Sequence, residues 1–261
     1  VARDPGDEHD RRVQTRVALV TGAGSGIGAG TAKALAARGH RVAVVDLNDR
    51  AHAVADQIEE SGGSALAVLA DISDPDAVTE AVDEVTTKLG PVEILVNNAG
   101  FARDNMVLDM PLADWDAVMN THLRGSFLML KATAPAMRDA GWGRVVNISS
   151  ISALVDDDRA NYVAAKAGLE GFTRATALDL APFGITVNAI GPGVVVTEMT
   201  KVSAARAGRT LDEHIEVQRK SIPRGRVGTP HDIARAVLFF AAEDADYVTG
   251  QVIYVSGGPH G

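Results

Sequence analysis

Seven short runs of consecutive apolar residues, many of them β-branched, punctuate this chain, and longer segments of helical period fill the gaps. The runs are Val17-Ala18-Leu19-Val20, Arg41 to Val45, Ala65 to Leu69, Ile94-Leu95-Val96, Val145 to Ile148, Ile185 to Ile190 and Gln251 to Val255. A strand with one wet face would alternate apolar and polar residues. These runs do not, so both faces are covered. Strands of this kind alternating with helices form βαβ units with right-handed crossovers. The pattern predicts an α/β fold, a doubly wound parallel sheet with helices on both faces. Asp74 before Pro75 marks one helix start. Tyr162, Ala165, Leu169, Phe172, Thr176 and Leu180 mark a helical stripe.

No stretch rich in Pro, Gly or Ser divides the 261 residues, so residues 15–261 read as a single domain. Val1 to Gln14 is rich in Asp, Glu and Arg and has no apolar block. It reads as a disordered or cloning-derived tail and not as a secretory signal. The chain contains no cysteine. That excludes disulfides, thiolate metal sites and cysteine nucleophiles, and fits a cytoplasmic setting. A formal net charge of −9 disfavours nonspecific binding to nucleic acid or to an anionic membrane. No apolar run approaches the ~18 residues of a membrane span. The histidines are scattered without ligand spacing, so no metal is expected.

Each polar motif follows one of the apolar runs, and in open α/β sheets ligands bind outside the carboxyl ends of the strands. The first run leads into Thr21-Gly22-Ala23-Gly24-Ser25-Gly26-Ile27-Gly28. Gly22, Gly26 and Gly28 let backbone approach a pyrophosphate, and the helix that follows offers free N–H groups and partial positive charge. Asp46 closes the second run. A carboxylate there can accept hydrogen bonds from both hydroxyls of the adenosine ribose and repels a 2′-phosphate. Ser25 sits in the loop where an arginine could have gripped that phosphate. Both observations predict NAD over NADP.

Tyr162 and Lys166 are four residues apart on the predicted helix and share a face. A phenol has a pKa of ~10 and is a poor base at neutral pH. An ammonium ~4 Å away, at an effective dielectric of ~20, is worth ~4 kcal/mol, or about three pK units. That shift would bring the phenol near working pH, where acid/base catalysis is efficient. Ser150 ends the fifth strand pattern and can hydrogen-bond a substrate oxygen as charge develops on it. Ser149 and Ser152 are neighbours, but the position at the strand end favours Ser150.

Taken in order, these motifs resemble the short-chain dehydrogenase/reductase family over about residues 16 to 258. The residues carrying the resemblance are TGxxxGxG at Thr21 to Gly28, NNAG at Asn97 to Gly100, Ser150, YxxxK at Tyr162 to Lys166, and PGxxxT at Pro192 to Thr197. Gly184-Ile185-Thr186-Val187-Asn188 and Gly225 to Pro230 are most similar to 3-oxoacyl-acyl-carrier-protein reductases. The resemblance implies a Rossmann-type fold that binds a nicotinamide dinucleotide. It implies that Asp71 binds the adenine edge with Ile72 beside it, and that Asn98, Ala99 and Gly100 line the cofactor. Ile27 and Leu47 are also expected to bind the cofactor. The backbone around Val195 and the Thr197 hydroxyl would meet the nicotinamide amide and phosphate, Pro192 and Gly193 would also bind the cofactor, and Lys166 would hold the nicotinamide ribose. It also implies a homotetramer built through the long helices and the C-terminal strand region.

The family usually has an asparagine in an N-x-x-G segment, thought to hold a proton-relay water. Here the segment is His122-Leu123-Arg124-Gly125. His122 can bind water and exchange protons, or it can pack in the helix while backbone carbonyls hold the water. Residues 194–223 are expected to form a substrate lid with short helices. Lys201 to Arg226 carries seven basic and three acidic residues. This surplus could receive phosphates of coenzyme A or an acidic carrier protein, or belong to a solvated, salt-bridged lid. Phe183 before Gly184, and Asp156-Asp157-Asp158 near the catalytic loop, argue against an acidic protein partner.

The expected activity is NAD(H)-dependent interconversion of a secondary alcohol and a ketone, with 3-oxoacyl thioester reduction or 3-hydroxyacyl oxidation favoured. A dehydrogenase of a small alcohol, steroid or sugar is the alternative within the class. A cofactor-binding regulator without turnover is the alternative outside it.

Overall fold

In the computed structural model, which describes residues 14–154 and 156–259, all seven apolar runs enter one parallel sheet. Its strands are β1 (Val17–Thr21), β2 (Arg41–Asp46), β3 (Ser64–Leu69), β4 (Ile94–Asn97), β5 (Gly143–Ile148), β6 (Ile185–Pro192) and β7 (Val252–Val255), in the order β3-β2-β1-β4-β5-β6-β7. The expected tail lies outside the described residues, except for Gln14, whose Oε1 accepts from Arg16 Nη2. Strand ends moved slightly from the sequence pattern. β6 continues to Pro192 because Gly191 and Pro192 pair with Tyr254 and Val255 of β7, a partner no local pattern reveals.

The central strands are buried on both faces, and two apolar cores lie one on each side of the sheet. One face is covered by α1 (Gly26–Ala36), α2 (Arg50–Glu60) and α9 (Pro230–Ala241). The other is covered by α3 (Pro75–Leu89), α5 (Gly125–Ala140) and α6 (Ala160–Leu180). Asp74 caps α3 through its Oδ1, which accepts from Asp76 N at 2.9 Å. α4 (Leu112–Met119) runs into a single π-helical turn, Asn120–Arg124, before α5. Such turns widen a helix locally and occur often at functional sites. The segment after β6 folds into two short helices, α7 (Glu198–Arg206) and α8 (Leu211–Ser221). No helix among the described residues is long and apolar enough to cross a membrane.

Strand order reverses between β1 and β4. That divergence opens a crevice at the carboxyl edge of the sheet, where α/β folds of this kind bind ligands.

Candidate active site

The glycine loop lies at this crevice, and its glycines are there for close packing. A Cβ on Gly22 would come within 2.6 Å of Ala99 Cα, and one on Gly28 within 2.3 Å of Gly22 O. Asn98 staples the loop: its Nδ2 donates to Thr21 O at 2.8 Å and to Gly22 O at 3.1 Å. The Thr21 hydroxyl accepts from the N–H groups of Asn98 and Ala99, both at 3.0 Å. Ser25 precedes α1 in an extended conformation and its side chain makes no cap hydrogen bond. First-turn N–H groups of α1 are thus free of a side-chain cap, as an anion cradle requires. Thr197 lies across the loop, since a Cβ on Gly26 would meet its methyl at 3.2 Å.

Asp46 sits at the open end of the glycine loop. Its Oδ2 accepts from Gly24 N at 2.8 Å, and its Oδ1 from Asn48 N at 2.9 Å. These bonds fix the carboxylate at the mouth of the loop, beside the exposed Leu47. Asp71 and Ile72 have local partners. Asp71 Oδ1 accepts from Ser73 N and Oγ, and Ile72 is buried against Gly125. Around β6, Gly193 N–H donates to Val255 O at 3.1 Å, and Val195 O is taken by the Thr200 hydroxyl. The residues present fit a dinucleotide: a close-packed glycine loop, an uncapped helix start and a fixed carboxylate along one crevice.

The catalytic candidates converge from four elements. Ser150 follows β5, Tyr162 and Lys166 lie on α6, His122 is in the π turn, and Gly100 and Phe101 follow β4. The Ser150 hydroxyl, which accepts from Ser152 N at 3.1 Å, is near enough to the Tyr162 phenol to lower its pKa. Ser149 turns away, its Oγ donating to Glu170 Oε1 at 3.0 Å, and Ser152 Oγ donates to Asp156 Oδ2 at 2.7 Å. Lys166 is buried; its Nζ donates to Ile148 O at 2.7 Å and lies 5.5 Å from the Tyr162 ring centroid.

The electrostatics differ from the simple sequence expectation. Burial pushes the Lys166 ammonium from 10.5 down to about 7. The Tyr162 phenol is raised, chiefly by burial, against the opposing effect of the Ser150 hydroxyl and the charge of Arg159. A single lysine therefore does not bring the phenol to neutral pH. Desolvation penalises the phenolate and at the same time weakens the hold of Lys166 on its proton.

His122 is also buried. Desolvation first, then the charge of Lys166, hold it well below its ordinary pKa, so the ring is neutral at working pH. Its Nε2 lies 2.8 Å from Phe101 O and 3.0 Å from Phe101 N, and the tautomer decides which of the two it bonds. Its Nδ1 is buried without a hydrogen-bond partner among the described residues. The ring meets Tyr162 edge-on, with centroids 5.3 Å apart.

Several contacts that position this site carried no sequence signal, although Asn97 itself lies in the NNAG motif. Asn161 Oδ1 accepts from Tyr162 N at 2.7 Å, while its Nδ2 donates to Arg103 O at 2.9 Å, tying the loop after β4 to the start of α6. Asn97 Nδ2 donates to Asn147 Oδ1 and Asn147 Nδ2 to Thr173 Oγ1, both at 2.9 Å, a buried polar ladder beneath the site. Asp104 and Arg159 pair at 3.0 Å, and the Arg159 guanidinium lies 5.5 Å over the Tyr162 ring.

Comparison with known proteins agrees with this geometry. The family model described as Enoyl-(Acyl carrier protein) reductase matches residues 22–260. The 3-oxoacyl-[acyl-carrier-protein] reductase FabG of Staphylococcus aureus is 40% identical over 94% of this chain and 98% of its own. The short-chain reductase protein NovJ of Streptomyces niveus is 42% identical over 94% of both chains. A crystal structure from Beutenbergia cavernae, provisionally assigned as an NAD(P) dependent gluconate 5-dehydrogenase and holding NADP at low occupancy, superposes with a TM-score of 0.86 at 37% identity. It covers 93% of this chain and 96% of that one. The chain belongs to the short-chain dehydrogenase/reductase family. It is an oxidoreductase that uses a nicotinamide cofactor.

Proposed function

We propose that the protein interconverts 3-oxoacyl and 3-hydroxyacyl thioesters with NAD(H). The observation that carries the cofactor choice is the Asp46 carboxylate, held by Gly24 N–H at the loop mouth. Negative charge fixed there opposes a 2′-phosphate and suits two ribose hydroxyls. The substrate reading rests on the FabG relatives and on the rim of the site. Met106, Val107 and Leu108 on the loop after β4, Leu154 on the loop after β5, and Met199 and Val202 on α7 are exposed apolar residues. They frame a surface suited to an acyl chain.

The bound nicotinamide would supply or accept the hydride. Ser150 and Tyr162 hydrogen-bond the substrate oxygen, and Tyr162 delivers or takes its proton. Lys166 holds the nicotinamide ribose and supplies positive charge near the phenol. His122 holds Phe101 by Nε2 and supports the Tyr162 ring. Its Nδ1 is the polar atom through which it would reach a relay water.

Asp156-Asp157-Asp158 near the catalytic loop and Phe183 before Gly184 favour a free coenzyme A thioester over one carried on an acidic protein. Much of the basic surplus of the lid is neutralised locally. Lys201 pairs with Glu198, Arg206 with Asp104, Arg219 with Glu216 and Arg226 with Asp232. We further propose a homo-oligomer, a tetramer as in the family, with exposed Phe127 of α5 and Leu178 of α6 among the buried contacts.

Steady-state assays with acetoacetyl-CoA, acetoacetyl carrier protein, gluconate and simple secondary alcohols, each with both cofactors, test the reading. The expected result is highest kcat/KM for acetoacetyl-CoA with NADH. Higher efficiency with gluconate or a simple alcohol, or no turnover of any substrate, would overturn it.

A further inference from the structure

One buried carboxylate joins the lid to the catalytic helix. Asp104 lies on the loop after β4, and its side chain is 10% exposed. Its Oδ2 receives Arg159 Nη2 at 3.0 Å and Arg206 Nη1 at 2.5 Å. A second nitrogen of Arg206 donates to the Asp104 backbone oxygen. Arg159 immediately precedes α6, and its guanidinium covers the Tyr162 ring. Arg206 is the last residue of α7.

α7 therefore spans the site. At its start, Thr197 lies against Gly26 of the cofactor loop. At its end, Arg206 reaches the substrate rim at Asp104. Between them only Thr200 and Ala204 of the helix are buried, and the Thr200 hydroxyl donates to Val195 O, so Ala204 alone is a buried apolar anchor in an element of nine residues. Elements with few buried apolar contacts open at low cost, so the far end of α7 depends on its polar tie.

The state of Asp104 makes that tie two-state. Its Oδ1 is buried and has no hydrogen-bond partner among the described residues. A carboxylate withdrawn from water in this way needs its cations, and losing one leaves uncompensated buried charge. Opening the lid would remove Arg206 and admit water to Asp104. Closing it would exchange that water for the second guanidinium.

We propose that Asp104 is the latch of the substrate lid, a positioning residue whose carboxylate holds α7 through Arg206 and seats the catalytic helix through Arg159. Lid closure and the seating of Tyr162 are then coupled. The proposal rests on the reading of α7 and α8 as the substrate cover.

Hydrogen exchange of the full chain, with and without NADH, combined with steady-state kinetics, tests it in three variants. Arg206→Gln should speed exchange of residues 198–206 at least tenfold and raise KM at least fivefold, with kcat within threefold. Arg206→Lys should restore most of the protection and of KM. Asp104→Asn should speed exchange equally and also lower kcat at least tenfold, because Arg159 then keeps only Asp156 at 3.2 Å and loses the more buried of the two carboxylates that anchor it over Tyr162. Unchanged exchange in Arg206→Gln, or unchanged kcat in Asp104→Asn, overturns the latch. If the exchange results hold while no thioester is turned over, the substrate reading has failed and the latch stands; kinetics would then use whichever alcohol or ketone is active. If thioesters are turned over and exchange is unmoved, the latch alone has failed.

Discussion

Replacing Asp46 by asparagine keeps the shape of the side chain and removes its charge, and so isolates the electrostatic part of cofactor choice. Asp46 is half-buried at the loop mouth, and its two oxygens serve opposite sides, Gly24 N at 2.8 Å and Asn48 N at 2.9 Å. A 2′-phosphate of charge about −2, placed ~4 Å from the carboxylate at an effective dielectric of ~40–80, is repelled by ~2–4 kcal/mol. That corresponds to a discrimination of about 30- to 1000-fold. An asparagine carboxamide can accept on one side only, so either Gly24 N–H or Asn48 N–H loses its acceptor, at a cost of ~1–2 kcal/mol to the loop. Asp46→Asn should therefore lower kcat/KM with NADH by about tenfold while raising it with NADPH. The NADH-to-NADPH efficiency ratio should fall by at least about 30-fold. Both follow from initial rates of cofactor oxidation over a matrix of cofactor concentrations. A wild-type preference for NADPH, or a ratio that moves by less than about threefold, would refute the electrostatic argument.

Tyr162→Phe should lower kcat by ~10²–10⁴-fold while leaving NADH affinity, measured by fluorescence titration, nearly unchanged; retention of about a tenth of kcat or more would remove Tyr162 from the acid/base role. Lys166→Met should end efficient turnover and weaken NADH binding, yet raise Tm at pH 7. Because burial lowers Lys166 from 10.5 to about 7, the unfolded chain binds more protons between those values, and stability rises with pH across that window. The methionine variant should lack that rise in thermal melts, and an identical pH slope would count against the buried ammonium. His122→Ala should lower kcat by about tenfold or more and alter its pH dependence, whereas His122→Asn should stay active; an unchanged rate and profile in the alanine variant would leave the ring a packing residue. Gly28→Ala would drive a Cβ into Gly22 O and Asn98 Nδ2, so cofactor binding should be lost before folding is; tight NADH binding by that variant would contradict the geometry of the loop.

The sheet was legible because it is written in local patterns. Runs apolar on both faces announce strands covered on both sides, and Asp74-Pro75 announces a helix start, whatever the rest of the chain does. The glycine loop and the Tyr162–Lys166 spacing are legible for the same reason, since neighbours along a turn or helix share a face without any tertiary help. Partners far apart in sequence were not legible. The β7 residues that extend β6, the Asn97–Asn147–Thr173 ladder, and Asp104 receiving Arg159 from 55 positions away and Arg206 from 102 depend on where crossovers set down distant segments. Which of three nearby serines faces Tyr162 is settled by the strand end and by Glu170 and Asp156, which claim the other two. The titration of the site was the least legible of all. Spacing alone places an ammonium beside a phenol, but the sign of the net shift depends on how much water each has lost. Only the packed structure, which buries both groups together and sets Arg159 over the Tyr162 ring, determines that.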